Sequence, residues 1–372
     1  MIPEDPNPMS GGDFREFVRQ TPGWLAGGRC DEDVVLSSRV RLARNIAGFR
    51  FAPRASVEER HELIRQIRAG MTSAELVGQS ESQDSAVWFD IDALDQFQRD
   101  VFAERQLISH QHAKGRKTKD GDPRAVVVFP RGQSISIMVN EEDHLRMQAV
   151  LPGFALGEAM QEIGRIDDRI ERELDYAFSP RFGYLTACPT NVGTGIRVSV
   201  MLHLPALRIL GEIDKVKRAA ADMSLAVRGF WGEGSEAEGD LYQLSNQTTL
   251  GKSEDLILSE LERSIVPRVI GFERHARDIL LNKRRLVGED LVYRALGTLT
   301  HARRLSTGEA MSRLSELRLG ISLGILEGHR LESINRLLLE IHPAHLQQAA
   351  GRSLGRSERA SARATLLRER LG

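Results

Sequence analysis

The stretch CPTNVGTGIR, from Cys188 to Arg197, holds a cysteine, a proline, two glycines and a closing arginine between two apolar segments. Glycines allow the backbone to approach a ligand closely, and arginine binds anions. The stretch does not have the G-x-G-x-x-G spacing, and the later segment LGKSED lacks the first P-loop glycine because Asn246 stands there. Cys188 can therefore be interpreted in two ways, as a small buried hydrophobic residue or as a reactive thiolate.

Arginines form the strongest chemical pattern. Arg39 and Arg41 alternate on a strand-like segment, so we expect both side chains on the same face. Each of the five arginines, these two together with Arg146, Arg197 and Arg228, is expected at the edge of an apolar strand, where a guanidinium is costly without an anionic partner. One such arginine is typical of a structural ion pair. Five together predict a clamp for a triphosphate through bidentate hydrogen bonds.

Carboxylates occur in two short loops. Glu141, Glu142 and Asp143 are consecutive, and Glu233 and Glu236 lie in the glycine-flanked segment GEGSE. A run of charges on a loop is usually only solvated. Beside phosphate-binding arginines, however, two acidic loops could bind a metal ion or a cationic acceptor, and the residue pattern leaves both possibilities open.

The elements that position these residues predict an α+β fold. Hydrophobic periodicity predicts a helix over 57–71, further helices within 153–175 and over 215–223, and strands over 125–130 and 134–139. Other strand-like segments flank the Cys188 loop. Together they predict an antiparallel sheet with flanking helices, followed by an all-helical part. The domains are predicted as a tail and short helix over 1–29, a catalytic domain over 30–255 and a helical domain over 256–372.

Composition excludes several classes of protein. The 372 residues carry a formal net charge of -1, so no electrostatic argument favours binding to nucleic acid or membranes. Two distant cysteines argue against a disulfide framework. The acidic start has no signal-peptide core, and no apolar run reaches the length of a membrane span. We therefore expect a cytoplasmic protein.

Several motifs together carry a family resemblance. SSRVRLARN, NEEDHLR, CPTNVGTGIR, RGFWGEGSEA and SNQTTLGKS occur in the order of the phosphagen (guanidino) kinases, such as arginine and creatine kinase, over residues 34–255. With MLHLPAL and the helical C-terminal part, nearly the whole chain resembles the bacterial protein-arginine kinases of the McsB type. The resemblance implies a phosphagen-kinase-like catalytic domain and transfer of the ATP γ-phosphoryl group to a guanidinium nitrogen.

The resemblance also implies roles for individual residues. Glu142 and Glu233 would hold the acceptor guanidinium and accept its proton, with Cys188 as a thiolate beside it. ATP would enter with Mg²⁺ held mainly by phosphate oxygens and water, so no metal ligand is predicted in the chain. The predicted nucleotide-binding residues are Ser37, Ser38, Arg39, Val40, Arg41, Gln106, Arg146, Arg197, Val198, Ser199, Val200, Met201, Arg228, Gly229, Phe230, Trp231 and Gly232.

Two positions depart from the family pattern. Gln106 stands where the protein-arginine kinases carry a histidine thought to touch nucleotide. The family's C-terminal phosphoarginine-binding motif, Arg-Asp-x-x-Arg-Ala, corresponds here to Arg359 through Ala364, with Ala360 in place of the aspartate. We therefore expect a phosphoarginine site on Arg359 and Arg363 that is weakened.

Three functions remain open at this point: a protein-arginine kinase, a kinase for a free guanidino metabolite, and a silent phosphoarginine reader. In metabolite kinases a helical N-terminal domain precedes the SSRVR motif, which starts here at Ser37, so the acceptor pocket is expected to be open to a polypeptide. The resemblance further implies protein substrates with exposed arginines, among them a stress-response repressor. It also implies Clp-type protease machinery, an activating adaptor and a homodimer.

Overall fold

One antiparallel sheet organises the chain. The computed structural model describes residue 14 and residues 17–78, 85–115, 121–229 and 238–372. The strands are β1 Val35–Arg44, β2 Val87–Asp90, β3 Ala125–Val128, β4 Ile135–Val139, β5 Leu145–Pro152, β6 Phe178–Ser179, β7 Gly183–Tyr184, β8 Ile196–His203, β9 Leu225–Arg228 and β10 Leu241–Asn246. Within the described residues, β6 pairs with β7, and the others form one sheet in the order β2-β3-β4-β5-β1-β8-β10-β9.

The longest strand, β1, lies near the centre of this sheet. It pairs antiparallel with β5 on one side and β8 on the other. Its apolar residues Val40 and Leu42 enter the main core, which also takes the buried faces of β3, β4, β5 and β8. Arg39 and Arg41 alternate with these two core residues, so they point to the opposite face of the sheet.

Helices cover the sheet and make up the C-terminal part. They are α1 Val57–Ser73, α2 Gln96–Glu104, α3 His110–Lys114, α4 Leu156–Glu171, α5 Pro205–Ile209, α6 Ile213–Asp222, α7 Glu254–Ser259, α8 Val266–Lys283, α9 Arg285–His301, α10 Thr307–Ser322, α11 Leu331–Glu340, α12 Pro343–Ala350 and α13 Arg356–Leu371. The predicted antiparallel sheet with flanking helices and a helical C-terminal part is confirmed. None of the described helices is long and apolar enough to cross a membrane.

Local sequence explains where the first of these helices begins. Ser56 accepts a hydrogen bond from the backbone of Glu59, whose carboxylate in turn accepts one from the backbone of Ser56. This reciprocal cap satisfies two backbone donors that the first helical turn leaves free. Leu63, Ile67 and Met71 then recur at helical spacing and are buried against the sheet.

Three apolar cores lie among the described residues, and they do not follow the order of the sequence. The main core contains the sheet, α1 and α4, and it also takes Ile257, Val266, Ile270 and Leu280 from the helices that follow residue 252. A second core holds side chains of α9, α10, α11 and α13. A third core packs α2 and α3 against β2, β3 and β4. The helices up to α8 thus pack with the sheet, and the domain boundary after residue 255 stays a prediction.

Candidate active site

A cavity of about 460 Å³ lies over the central strands. Eight of the predicted site residues line it: Arg39, Arg41, Gln106, Glu142, Arg146, Cys188, Arg197 and Arg228. These residues come from five separate segments of the chain, so the fold gathers side chains that the sequence keeps far apart.

The strands set the positions of the arginines. Arg39 and Arg41 lie in the middle of β1, not at a strand edge as their apolar context suggested, because β1 continues through both pairings. Arg41 stands opposite Arg197 of β8. Arg146 is the second residue of β5, and Arg228 is the last of β9. Neighbouring strands therefore present their guanidinium groups to one cavity.

This arrangement holds cations together at an electrostatic cost. Burial lowers the pKa of Arg41 well below its usual value, and the nearby charges of Arg39, Arg146 and Arg197 lower it further. Burial and then Arg146 lower the pKa of Arg39 to about 9. The Nε atoms of Arg39 and Arg41 are buried without a hydrogen-bond partner among the described residues. A bound polyanion would supply both the charge and the acceptors that these groups lack.

The two neighbouring glutamates of the acidic loop differ in their contacts. Glu141 is buried, and its Oε2 lies 2.7 Å from Nη1 of Arg146 and 2.9 Å from the backbone nitrogen of Glu142. Its Oε1 accepts a 2.6 Å hydrogen bond from Ser109. Although burial alone would raise the pKa of Glu141, Arg146 and these hydrogen bonds hold it at about 2. Glu141 is thus a structural partner of Arg146. Both Glu141 and the half-buried Glu142 line the cavity.

The Cys188 loop is held in place by a side-chain hydroxyl group from a later segment of the chain. The Cys188 Sγ lies 3.0 Å from Oγ1 of Thr190, and Thr249 donates to the carbonyl oxygens of Thr190 and Val192 at 2.9 and 2.7 Å. The Thr249 hydroxyl thus holds the loop that carries the thiol into the cavity.

Two glycines of this loop are required by close packing against the protein itself. Gly193 and Gly195 both adopt positive φ, and a Cβ atom there would lie 2.7 Å from the Thr249 carbonyl oxygen and 2.6 Å from that of Ala43. The backbone therefore approaches other backbone at these positions, and in the structure the need for glycine comes from packing against protein.

Other predicted nucleotide-binding residues do not line the cavity. Val40, Val198 and Val200 are in the main core and Met201 is in the second. Ser37 is buried, and Ser199 accepts a hydrogen bond from Gln243 at 3.2 Å. Ser38 donates to the Gly153 carbonyl oxygen at 2.8 Å. Strand alternation explains the placement of Ser38, Val40, Val198 and Val200, which point to the face opposite the arginines. Ser37, Ser199 and Met201 share the face of the arginines without lining the cavity.

Only the start of the glycine-rich segment after β9 lies within the described residues. Gly229 follows Arg228 and is buried. The predicted site residues Phe230, Trp231, Gly232 and Glu233, together with Glu236, lie outside the described residues.

The predicted phosphoarginine residues lie on α13. Arg363 is 3% exposed and donates to the carbonyl oxygens of Ile341 and Leu305, each at 2.8 Å. Arg359 donates to the Leu354 carbonyl oxygen at 2.7 Å. Each guanidinium thus already binds the backbone that surrounds it.

Gln148 and Ser109 are site residues that sequence reasoning missed. Gln148 of β5 accepts a hydrogen bond from Arg39 and donates to the carbonyl oxygen of Gln106 at 2.5 Å. It stands two residues after Arg146, so a polar residue at period two in a buried strand was the available signal. No comparable pattern marks Ser109.

Known proteins match the chain over nearly its whole length. The family model "ATP:guanido phosphotransferase, C-terminal catalytic domain" matches residues 67–276, and "Protein-arginine kinase McsB C-terminal domain" matches residues 286–372. A protein-arginine kinase of Halalkalibacterium halodurans is 44% identical over 94% of this chain and 94% of its own. That of Bacillus subtilis is 40% identical over 96% of each chain. The chain belongs to the protein-arginine kinase family.

Solved structures agree with this family at the level of the fold. A lombricine kinase structure superposes with a TM-score of 0.56 and 25% identity, covering 73% of this chain and 72% of that one. The duplicated taurocyamine kinase of Schistosoma mansoni, with bound transition state analog components, gives a TM-score of 0.57 at 24% identity. It covers 69% of this chain and 35% of that chain. The phosphagen-kinase-like fold predicted from the motifs is thereby confirmed.

Proposed function

We propose that this chain transfers the γ-phosphoryl group of Mg-ATP to a guanidinium nitrogen of arginine residues in proteins. The observation that carries the proposal is a single cavity that combines arginines from neighbouring central strands with Glu142 and Cys188. The relatives named protein-arginine kinase support the choice of acceptor.

The proposed roles of the residues follow from their charges. Arg39, Arg41, Arg146, Arg197 and Arg228 would bind the phosphate oxygens and stabilise the negative charge that builds up during transfer. The bond between the γ-phosphorus and the bridging oxygen breaks, the new phosphorus–nitrogen bond forms, and ADP leaves.

The acceptor must lose a proton, because a guanidinium nitrogen is protonated at neutral pH and has no free lone pair. Glu142, together with Glu233, would orient the guanidinium and accept that proton, and the Cys188 thiol would contact the same group. Since Glu141 is held by Arg146 and Ser109, Glu142 is the better placed of the two adjacent carboxylates.

Mg²⁺ would enter with the nucleotide and neutralise phosphate charge. The described part of the chain contains no group of three or more His, Cys, Asp or Glu side chains that could hold a metal ion. We propose that phosphate oxygens and water provide most of the ligands of the ion.

The partners, oligomeric state and location of the protein are proposed from the family resemblance. They are a stress-response repressor as substrate, a Clp-type protease that degrades the marked proteins, an activating adaptor, a homodimer and a cytoplasmic location. Exposed apolar side chains on α8 and α9 support self-association, with Phe272 57% and Leu286 78% exposed.

Incubation with Mg-ATP and an arginine-rich protein is expected to yield acid-labile phosphate on arginine. We expect kcat/KM for arginine in a flexible protein segment to exceed that for free L-arginine, creatine or agmatine. Steady-state kinetics with each acceptor tests this. A higher value for free arginine would favour a metabolite kinase, and no turnover of any acceptor would favour a phosphoarginine reader.

Free phosphoarginine is expected to change the activity weakly or not at all. Ala360 offers no carboxylate for the guanidinium of the ligand, and Arg363 already donates to two backbone carbonyls.

Arg363→Ala should instead lower the free energy of unfolding by about 1–3 kcal/mol, because two buried carbonyls lose their donor. Turnover and calorimetry with added phosphoarginine measure the first effect, and denaturant unfolding the second. Tight binding that is lost in Arg363→Ala without loss of stability would contradict both expectations.

A further inference from the structure

A buried carboxylate behind the cavity joins two distant segments of the chain. Asp143 is 1% exposed, and its Oδ1 accepts hydrogen bonds from Nδ2 of Asn45 and from the backbone nitrogen of Ala187, each at 2.7 Å. Asn45 directly follows β1, and Ala187 belongs to the loop before β8. One oxygen atom thus connects the acidic loop to both.

Asn45 makes two further hydrogen bonds to the same two segments. Its Oδ1 accepts a 3.0 Å hydrogen bond from the backbone nitrogen of His144, and its Nδ2 also donates to the Leu185 carbonyl oxygen at 3.0 Å. Asn45 is likewise 1% exposed. Because Asp143 and Asn45 each make at least two of these hydrogen bonds, a shift of the acidic loop is coupled to a shift of the Leu185–Ala187 segment.

The flanking residues give this connection its functional meaning. Glu142 directly precedes Asp143, Cys188 directly follows Ala187, and both Glu142 and Cys188 line the cavity. The geometry points to Asp143 as a positioning residue that sets the separation of Glu142 and Cys188 and so shapes the acceptor side of the cavity. This inference rests on the proposed function, in which Glu142 and Cys188 contact one guanidinium.

The position of the oxygen, rather than its charge, performs this task. Burial raises the pKa of Asp143 despite the hydrogen bonds from Ala187 and Asn45. An asparagine places an amide oxygen at the same position, and that oxygen accepts two hydrogen bonds. A glutamate keeps the charge but moves the carboxylate by one methylene. The two substitutions therefore separate geometry from charge.

We expect Asp143→Asn to keep kcat within about threefold of wild type and Asp143→Glu to lower it by about 10²-fold, since a displacement of about 1 Å costs this much in a positioned site. KM for ATP should stay unchanged in both, because the nucleotide arginines are held by the strands. Matched changes at the exposed Asp168 of α4, Asp168→Asn and Asp168→Glu, serve as controls. The measurement is initial rates against the arginine-rich protein and against ATP.

A second measurement does not depend on turnover. In a Cys30→Ser background, the alkylation rate of Cys188 by iodoacetamide should match wild type in Asp143→Asn and differ in Asp143→Glu. Equal rates in all three proteins would overturn the inference, and so would an Asn variant that loses as much activity as the Glu variant. If wild type phosphorylates no arginine while the alkylation rates differ as expected, the proposed function fails and the positioning role stands.

Discussion

Glu142→Gln is expected to lower kcat by about 10²-fold or more, the usual scale for loss of a positioned acid–base group. Glutamine has nearly the same size, but it cannot accept the guanidinium proton or balance the charge of the cation. Its neighbour Glu141 cannot take over, because Arg146, Ser109 and a backbone N–H occupy its two oxygens. The expected loss is therefore in turnover, with ATP binding retained.

Initial rates over a range of ATP and protein-acceptor concentrations measure this effect. Glu173→Gln, at an exposed position after α4, is the matched control and should behave as wild type. Near-normal kcat in Glu142→Gln would show that another group accepts the proton.

Arg41→Met should weaken ATP binding by about 10- to 100-fold while leaving the free protein as stable as wild type, or more so. Hydrogen bonds to charged groups contribute about 1.5–3 kcal/mol, and 1.4 kcal/mol is tenfold in affinity. Without nucleotide, the same guanidinium faces Arg39, Arg146 and Arg197 with its Nε buried and lacking a partner among the described residues. Removal of the charge relieves that repulsion.

Nucleotide titration and thermal unfolding with and without ATP test both parts of this expectation. Arg172→Met at an exposed position provides the control. A variant that melts at a lower temperature without ATP, yet binds ATP as tightly as wild type, would contradict the proposed role of Arg41.

Local geometry was predictable from the sequence. The alternation of Arg39 and Arg41 places both on one strand face, and both line the cavity. The same alternation could have excluded Val40, Val198 and Val200, but motif matching took whole segments and so included core residues. The phosphagen-kinase-like fold followed from motif order, because several independent motifs agreed.

Tertiary contacts were not predictable in the same way. The strand β5, with sequence LRMQAVLP, went unassigned because its polar–apolar alternation lasts only through Gln148 and then gives way to an apolar run, and all but one of its residues are buried. The opposition of Arg41 and Arg197 depends on the register between β1 and β8, which no local pattern encodes. The hydrogen bonds of Asp143 to Asn45 and Ala187 likewise join residues that only the complete fold brings together.

The central place of β1 has a consequence for the order of events during synthesis. This strand leaves the ribosome before its two partners, and the second of them, β8, ends only at His203. Until then one edge of β1 carries unpaired backbone groups, which in a nascent chain invite association with other strands. Pairings between segments so distant in the chain also close slowly. The cationic cavity is therefore a late product of folding, and a polypeptide that stops before β8 carries Arg39 and Arg41 on a strand that has not acquired its second neighbour.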